Sequence, residues 1–298
     1  MTNISGKIHE ANNSRREFVK QSSLSALGIL LYPSNLFSQS VEKHSLKEIG
    51  LIMGVIENEL KQDWEKTIRA VAEIGYKYLE FNGFYGRDLN TFKKVLKETG
   101  LRPLAGGDVM VNMLNENKLK NLIEDALSLD RKYLVCYWPW LDNGNNKTTD
   151  DFKKAADNLN WIGEVCNKEG IKLAFHNHDK EFIKVDGNIF GYEYILNNTS
   201  PEKVAMELDL YWCIKGGGEP IELLKKYKGR FEIFHVKDMD NTAQKLYTCP
   251  GKGIIDFKAI FSQAKQSGVK YYNVEIDKTD NPIACITDSY KYLKALRF

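Results

Sequence analysis

The 298-residue sequence offers no permanent membrane anchor, because its N-terminal apolar run, Leu24 to Leu31, falls well short of the about 20 residues a transmembrane helix takes. No cysteine follows that run, which speaks against a lipoprotein anchor. There is no low-complexity tract and no long basic run, and 42 Lys and Arg stand against 40 Asp and Glu. Most lysines read as solvated faces of amphipathic helices, whereas binding a phosphate backbone needs basic residues clustered on one face; nucleic acid is not an implied partner. Cysteine is sparse. Cys136, Cys166, Cys213, Cys249 and Cys285 are an odd, scattered set without a C-x-x-C pair, and they read as reduced core residues.

The N-terminal part differs in kind from the rest. A polar stretch leads to Ser14-Arg15-Arg16-Glu17-Phe18-Val19-Lys20, then come the apolar run, Pro33 and a Ser-rich stretch to Ser40. This resembles a twin-arginine export signal, S-R-R-x-F-L-K before a modest hydrophobic segment, with Val19 as the one departure. Residues 1–40 are then an export signal and disordered segment, the mature chain begins near Ser38 to Val41, and the protein is periplasmic. The twin-arginine route is known for carrying proteins folded in the reducing cytoplasm, often with metal bound, which suits reduced cysteines. The alternative is a disordered basic arm followed by a helix.

From Ile49 onward short apolar runs alternate with stretches of helical period, the pattern of repeated βα units. Strands are expected at Ile49 to Val55, Tyr78 to Phe81, Arg102 to Asp108, Lys132 to Trp138, Lys172 to His178, Val204 to Asp209, Phe231 to Lys237 and Tyr271 to Ile276. A helix follows each. In the first, Trp64, Ile68, Val71 and Ile74 share one face while Glu65, Lys66, Arg69 and Glu73 share the other. Gly75, Gly100, Gly170 and Gly268 each close a helix before the next strand. Eight such repeats fit a single-domain α/β fold, a (β/α)8 TIM barrel over residues 41–298. A doubly wound sheet would have fewer strands and a Gly-rich phosphate loop after the first, and Gly54-Val55-Ile56-Glu57 is not one.

Four apolar strands end in polar clusters: His176 and His178; Glu207 and Asp209; His235, Lys237 and Asp238; Glu275 and Asp277. Burying unpaired charge is costly, so groups gathered at strand ends need one another, a cation or a ligand. In a barrel they share the C-terminal mouth, where active sites are built. Residues two apart on a strand point the same way, so His176 and His178 project together while Asn177 points away, and the same parity pairs Glu207 with Asp209, His235 with Lys237 and Glu275 with Asp277. Imidazole and carboxylate together suit a divalent cation such as Mn, Co, Zn or Mg. The bland alternative is a barrel end closed by His–carboxylate salt bridges without metal.

The runs Gly170 to Phe182, including His176-Asn177-His178-Asp179, then Glu207-Leu208-Asp209-Leu210-Tyr211-Trp212, His235-Val236-Lys237-Asp238, Gly251 to Phe257 and Val274-Glu275 together resemble the xylose isomerase-like barrel superfamily, and within it the sugar phosphate isomerase/epimerase group. The resemblance implies a divalent metal held by a carboxylate on the fifth strand, Asp on the sixth, His on the seventh and Glu on the eighth. The last three fall on Asp209, His235 and Glu275. At the fifth strand stands His176, so the first ligand is His176, His178 or absent. Implied too is proton abstraction next to a carbonyl through an enediolate, giving isomerisation, epimerisation or, with a leaving group β to the carbanion, elimination.

Glu80, His178 and Glu275 are the base candidates, and Lys237 an electrophilic or phosphate-binding one. Trp138, Trp140 and Trp212 are placed to stack on a sugar ring or to pack a lid, and Glu207 and Asp238 join Trp138 and Trp212 as substrate-binding candidates. Gly83-Phe84-Tyr85-Gly86 and Gly216-Gly217-Gly218 are either mobile closures or turns. The leading expectation is a metal-dependent isomerase or epimerase of a non-phosphorylated sugar or glycoside. The rivals are a lyase or hydrolase of 3-keto-glycosides and a sugar-binding barrel without catalysis. DNA cleavage at abasic sites, another activity in the superfamily, is disfavoured by the absence of a basic face.

Overall fold

A computed structural model describes residues 44–142, 147–185 and 188–298. The twin-arginine-like segment lies outside them. The eight expected strands are all present: β1 Gly50–Ile52, β2 Tyr78–Phe81, β3 Arg102–Gly106, β4 Tyr133–Trp138, β5 Lys172–His176, β6 Val204–Asp209, β7 Phe231–Val236 and β8 Tyr271–Val274. They pair in parallel in the order β3, β2, β1, β8, β7, β6, β5, β4. The ring closes because Val109–Met110, two residues beyond β3, pairs with β4. That break is built on Gly106, at φ 136°, where a Cβ would lie 1.9 Å from the Phe81 carbonyl oxygen. Only glycine permits so close an approach of β3 to β2.

Helices follow the strands as their periodicity predicts, among them Trp64–Ile74, Leu89–Thr99, Thr149–Lys168, Phe257–Ser267 and Pro282–Ala295. Trp64, Ile68 and Val71 are buried in the first, as its apolar stripe requires. Asp63, Asp88, Asn115, Thr148, Asp256 and Asn281 cap helix N-termini by accepting a backbone N–H. Two short helices, Glu57–Gln62 and Leu210–Lys215, have no periodic signature because each is under two turns long. None of the helices in the described residues is long and apolar enough to cross a membrane.

Strand parity sorts the barrel interior by height. Low in the barrel the inward residues are Tyr133, Ala174, Ala205 and Ile233, which form a small buried cluster with Leu104, Ala105 and Val135. Two or more residues further along the same strands the inward positions are Tyr137, His176, Glu207, Asp209 and His235, joined at that height by Asn273 on β8. The alternation that packs the floor therefore aims the polar set into the mouth.

At the floor a register shift between Phe231 and Ile233 accompanies one inward carboxylate, Glu232. Its oxygens accept from Lys172 Nζ at 2.6 Å, Lys270 Nζ at 2.7 Å and Tyr133 Oη at 2.6 Å. Burial alone would push this carboxyl up, but those hydrogen bonds outweigh it and bring the pKa down from 4.5 to about 2. A carboxylate depressed in the folded state contributes stability that is complete above its unfolded pKa and is lost as pH falls through the folded one. The melting temperature of the wild type is therefore expected to fall between pH 4.5 and about 2 more steeply than that of Glu232→Gln. Parallel acid melting curves would remove Glu232 from this role.

One expectation is corrected. Cys249 and Cys285 form a disulfide across 36 residues of sequence. The fold brings the loop after β7 against the last helix, a proximity that spacing does not encode. Cys136, Cys166 and Cys213 are buried free thiols, as expected. The two ends of the described barrel also meet: His44 N–H donates to the Phe298 carbonyl at 2.7 Å and Phe298 N–H to that of His44 at 3.0 Å.

Candidate metal centre

Strand register brings the donors together. His176 on β5 lies beside Glu207 on β6, and His235 on β7 lies between Asp209 on β6 and Asn273 on β8. One donor atom each from His176, Asp209, His235 and Glu275 falls within a mutual 4.8 Å, and Glu80, Glu207 and His235 form a second such group. His235 Nδ1 is 2.8 Å from Glu275 Oε2, while its Nε2 is 2.9 Å from Glu80 Oε2 and 3.1 Å from Glu207 Oε1. Lys237 Nζ contacts Asp209 Oδ2 at 3.3 Å, Glu275 Oε1 at 3.2 Å and Asp277 Oδ1 at 3.0 Å.

The donor set fits a divalent cation. Asp209, Glu275 and Asp277 surround the Lys237 ammonium and Glu80, Glu207 and Glu275 surround the His235 ring, so carboxylates outnumber the cationic groups of this largely buried site. Burial pushes the Glu207 and Asp209 carboxyls well up, the first aided by Glu80. For Glu275 burial is outweighed by Lys237 and His235, which hold it well below the carboxylate range. His235 goes well above the usual histidine value, since Glu207, Glu80 and Glu275 overcome its desolvation, while burial and then His235 push His176 well below. Asp209 Oδ2 and Glu207 Oε2 are buried and accept no hydrogen bond, although the former lies near Lys237. Unfilled buried acceptors beside two imidazoles are what a cation would satisfy.

The remaining sequence-derived candidates take different places. Glu80 is fully buried, and its oxygens receive Tyr137 Oη at 2.6 Å and Asn273 Nδ2 at 2.8 Å as well as facing His235. It is held in place by these three groups and faces the second donor group. His178 stands at the mouth with its ring 4.9 Å from that of His176. A ring nitrogen accepts the Glu181 backbone N–H, and the Glu181 carboxylate in turn accepts the His178 N–H at 2.7 Å. Burial and the Lys237 charge lower its pKa to about 4, so the ring is neutral with its proton on the other nitrogen. Lys237 is completely buried and held charged by Asp209 and Glu275, which overcome its desolvation.

Asp238 anchors a loop, its oxygens accepting the backbone N–H groups of Met239, Gly251, Gly253 and Ile255 at 2.8–3.1 Å. Trp212 remains at the mouth, its ring 5.8 Å from His178 and 5.1 Å from Lys237 Nζ. Trp138 lies under the Lys180 ammonium at 4.6 Å, whereas Trp140 is buried edge-on to Phe152. Gly216 and Gly218 pack against Phe182 with no room for a side chain, so that loop is a seated turn. Sequence reading missed Tyr137 and Asn273, though inward parity on β4 and β8 pointed to both. It also left Asn177 unassigned: its amide clamps the Asp209 backbone, accepting N–H at 2.9 Å and donating to C=O at 3.3 Å.

With this geometry in hand, likeness to known proteins narrows the lineage. An inosose dehydratase of Bacillus cereus (strain AH820) is 27% identical over 168 residues, 51% of this chain and 54% of that one, so the chain spans about half the length of this relative. An inosose dehydratase of Lacticaseibacillus casei is 23% identical over 78% of this chain and 89% of its own. A crystal structure of a sugar phosphate isomerase/epimerase from Parabacteroides distasonis superposes with a TM-score of 0.72 at 25% identity, covering 89% of this chain and 98% of that one. The family model described as xylose isomerase-like TIM barrel matches residues 68–296. Strand order, mouth and donor set agree with that match, and the chain belongs to the xylose isomerase-like TIM barrel family.

Proposed function

We propose that the protein is a divalent-metal-dependent lyase that removes a proton next to the carbonyl of a keto-sugar or keto-glycoside and expels the oxygen substituent β to the carbanion. The observation that carries this reading is the buried donor group His176, Asp209, His235 and Glu275 at the mouth of a family barrel. A divalent ion held there supplies Lewis-acid stabilisation to the oxygen on which charge develops as the C–H bond breaks.

The chain's own groups divide the remaining work. Asp277 is the proton acceptor: one oxygen is held by Lys237 at 3.0 Å, the side chain is 36% exposed, and burial raises its pKa despite that lysine. The electron pair of the broken C–H bond forms the C=C bond as the β C–O bond breaks. The departing oxygen takes up the proton that Asp277 received and leaves as water or an alcohol, while neutral His178 donates only a hydrogen bond to it. Trp212 forms the wall beside it and excludes water.

Elimination is favoured by the relatives named inosose dehydratase. A second reading, isomerase or epimerase, is favoured by the Parabacteroides distasonis neighbour. We place the enzyme in the periplasm, supported by the Arg15-Arg16 segment and by the Cys249–Cys285 bridge, a bond that persists in oxidising compartments. Incubation with keto-sugars and 3-keto-glycosides in D2O separates the readings. Release of water or an aglycone supports the lyase; deuterium gain at constant carbon skeleton means isomerase or epimerase; tight binding without turnover means a binding protein.

A further inference from the structure

We propose that Glu207 is a positioning residue that decides which ring nitrogen each candidate ligand histidine presents to the cation, His176 through Nε2 and His235 through Nδ1. The inference rests on the metal reading above and adds to it.

Glu207 is the cross-strand neighbour of His176, with both side chains inside the barrel at the same height. Its Oε1 lies 3.1 Å from His176 Nδ1 and 3.1 Å from His235 Nε2, so one oxygen sits between the two rings. Both histidines and Glu207 are at most 2% exposed, so no water competes for those contacts. On His235 the Nε2 side is doubly occupied, by Glu207 and by Glu80, and Glu80 is itself fixed by Tyr137 and Asn273. The opposite nitrogen, Nδ1, faces Glu275, a member of the four-donor group. On His176 the committed nitrogen is Nδ1, which leaves Nε2 for a cation.

A ligating imidazole that donates its other N–H to a carboxylate has its tautomer and ring orientation fixed and its basicity raised. This bears on the fifth strand. Histidine there brings a donor but no negative charge. Glu207, one hydrogen bond behind it, supplies that charge without occupying a ligand position itself. The pair His176–Glu207 thus does together what a single carboxylate at the end of β5 would do alone.

The test uses zinc as the probe. Zinc-loaded, 15N-histidine-labelled full-length protein is examined by long-range 15N–1H correlation, with signals assigned by single His→Gln variants. The expected spectrum shows His176 metallated at Nε2 and protonated at Nδ1, and His235 metallated at Nδ1. In Glu207→Gln, zinc affinity measured by competition with a chromophoric chelator should fall about 10- to 100-fold. Metal-free Glu207→Gln should melt no lower than the metal-free wild type, which distinguishes positioning from a merely structural role.

His176 metallated at Nδ1, or a Glu207→Gln protein that binds zinc as tightly as the wild type, overturns the inference and leaves the metal reading standing. A wild-type protein that binds no zinc overturns both. Should Glu207→Gln fail to fold, the wild-type spectrum alone decides.

Discussion

Asp209→Ala protein, purified without chelators, is expected to contain almost no divalent metal where the wild type holds about one equivalent, and to lose about 10³-fold or more in kcat/KM. The residue is completely buried at the end of β6, and both of its oxygens matter. Oδ1 accepts the Trp212 backbone N–H at 2.7 Å and so starts the helix Leu210–Lys215, while Oδ2 faces Lys237 and the donor group. Asp209→Asn separates these roles, since the amide oxygen keeps the cap and loses the charge. It should retain the fold and still lose metal and activity. Elemental analysis and turnover on the same preparations give the answer, and a metal-free protein with full activity would falsify the proposed chemistry.

Asp238→Ala is expected to destabilise the barrel by about 3–5 kcal/mol, a value reserved for loss of a buried polar network. Four backbone N–H groups converge on this one carboxylate, and three of them belong to the segment Gly251 to Ile255. Alanine would leave all four without that acceptor, those of Met239 and Ile255 in buried backbone, where the loss costs more than the bonds themselves contribute. Gly253 shows how closely the loop is drawn in, because a Cβ there would lie 2.1 Å from the Met239 carbonyl oxygen and 2.4 Å from Asp238 Oδ1. Urea unfolding measures the total loss. Hydrogen exchange at Gly251, Gly253 and Ile255 shows whether the loop opens first while Cys249–Cys285 still tethers it. Wild-type stability with wild-type protection at those amides would refute the anchor.

Strands and helices were legible because each rests on local regularity. Short apolar runs, helical periods and glycine stops depend on neighbours within a few residues, and the eight βα units follow from them. The polar groups at four strand ends were legible as a cluster because charge at the end of a buried strand is costly without a purpose, and the family resemblance singled out Asp209, His235 and Glu275 among them while leaving His176 and His178 open. The rest depends on distances between strands that a linear reading lacks. Glu80 reads as a base candidate from its strand end, but its depth and its contacts with Tyr137, Asn273 and His235 are set by other strands and could not be read there. Asp238, one residue past Lys237, has the opposite parity and points to the loop instead of the mouth. The disulfide was invisible for the same reason, since Cys249 and Cys285 meet only after the last helix has packed.

The paired backbone of His44 and Phe298 has a practical consequence for rewiring the molecule. Each of the two residues both donates and accepts, so a brief peptide joining them would replace a contact the fold already makes, at little cost in loop closure. Both sit at the floor, where β1 is about to begin and where the last helix has returned from the mouth. The barrel is therefore suited to circular permutation, and a fluorophore or affinity handle grafted at Phe298 emerges at the end remote from His176 and Asp277.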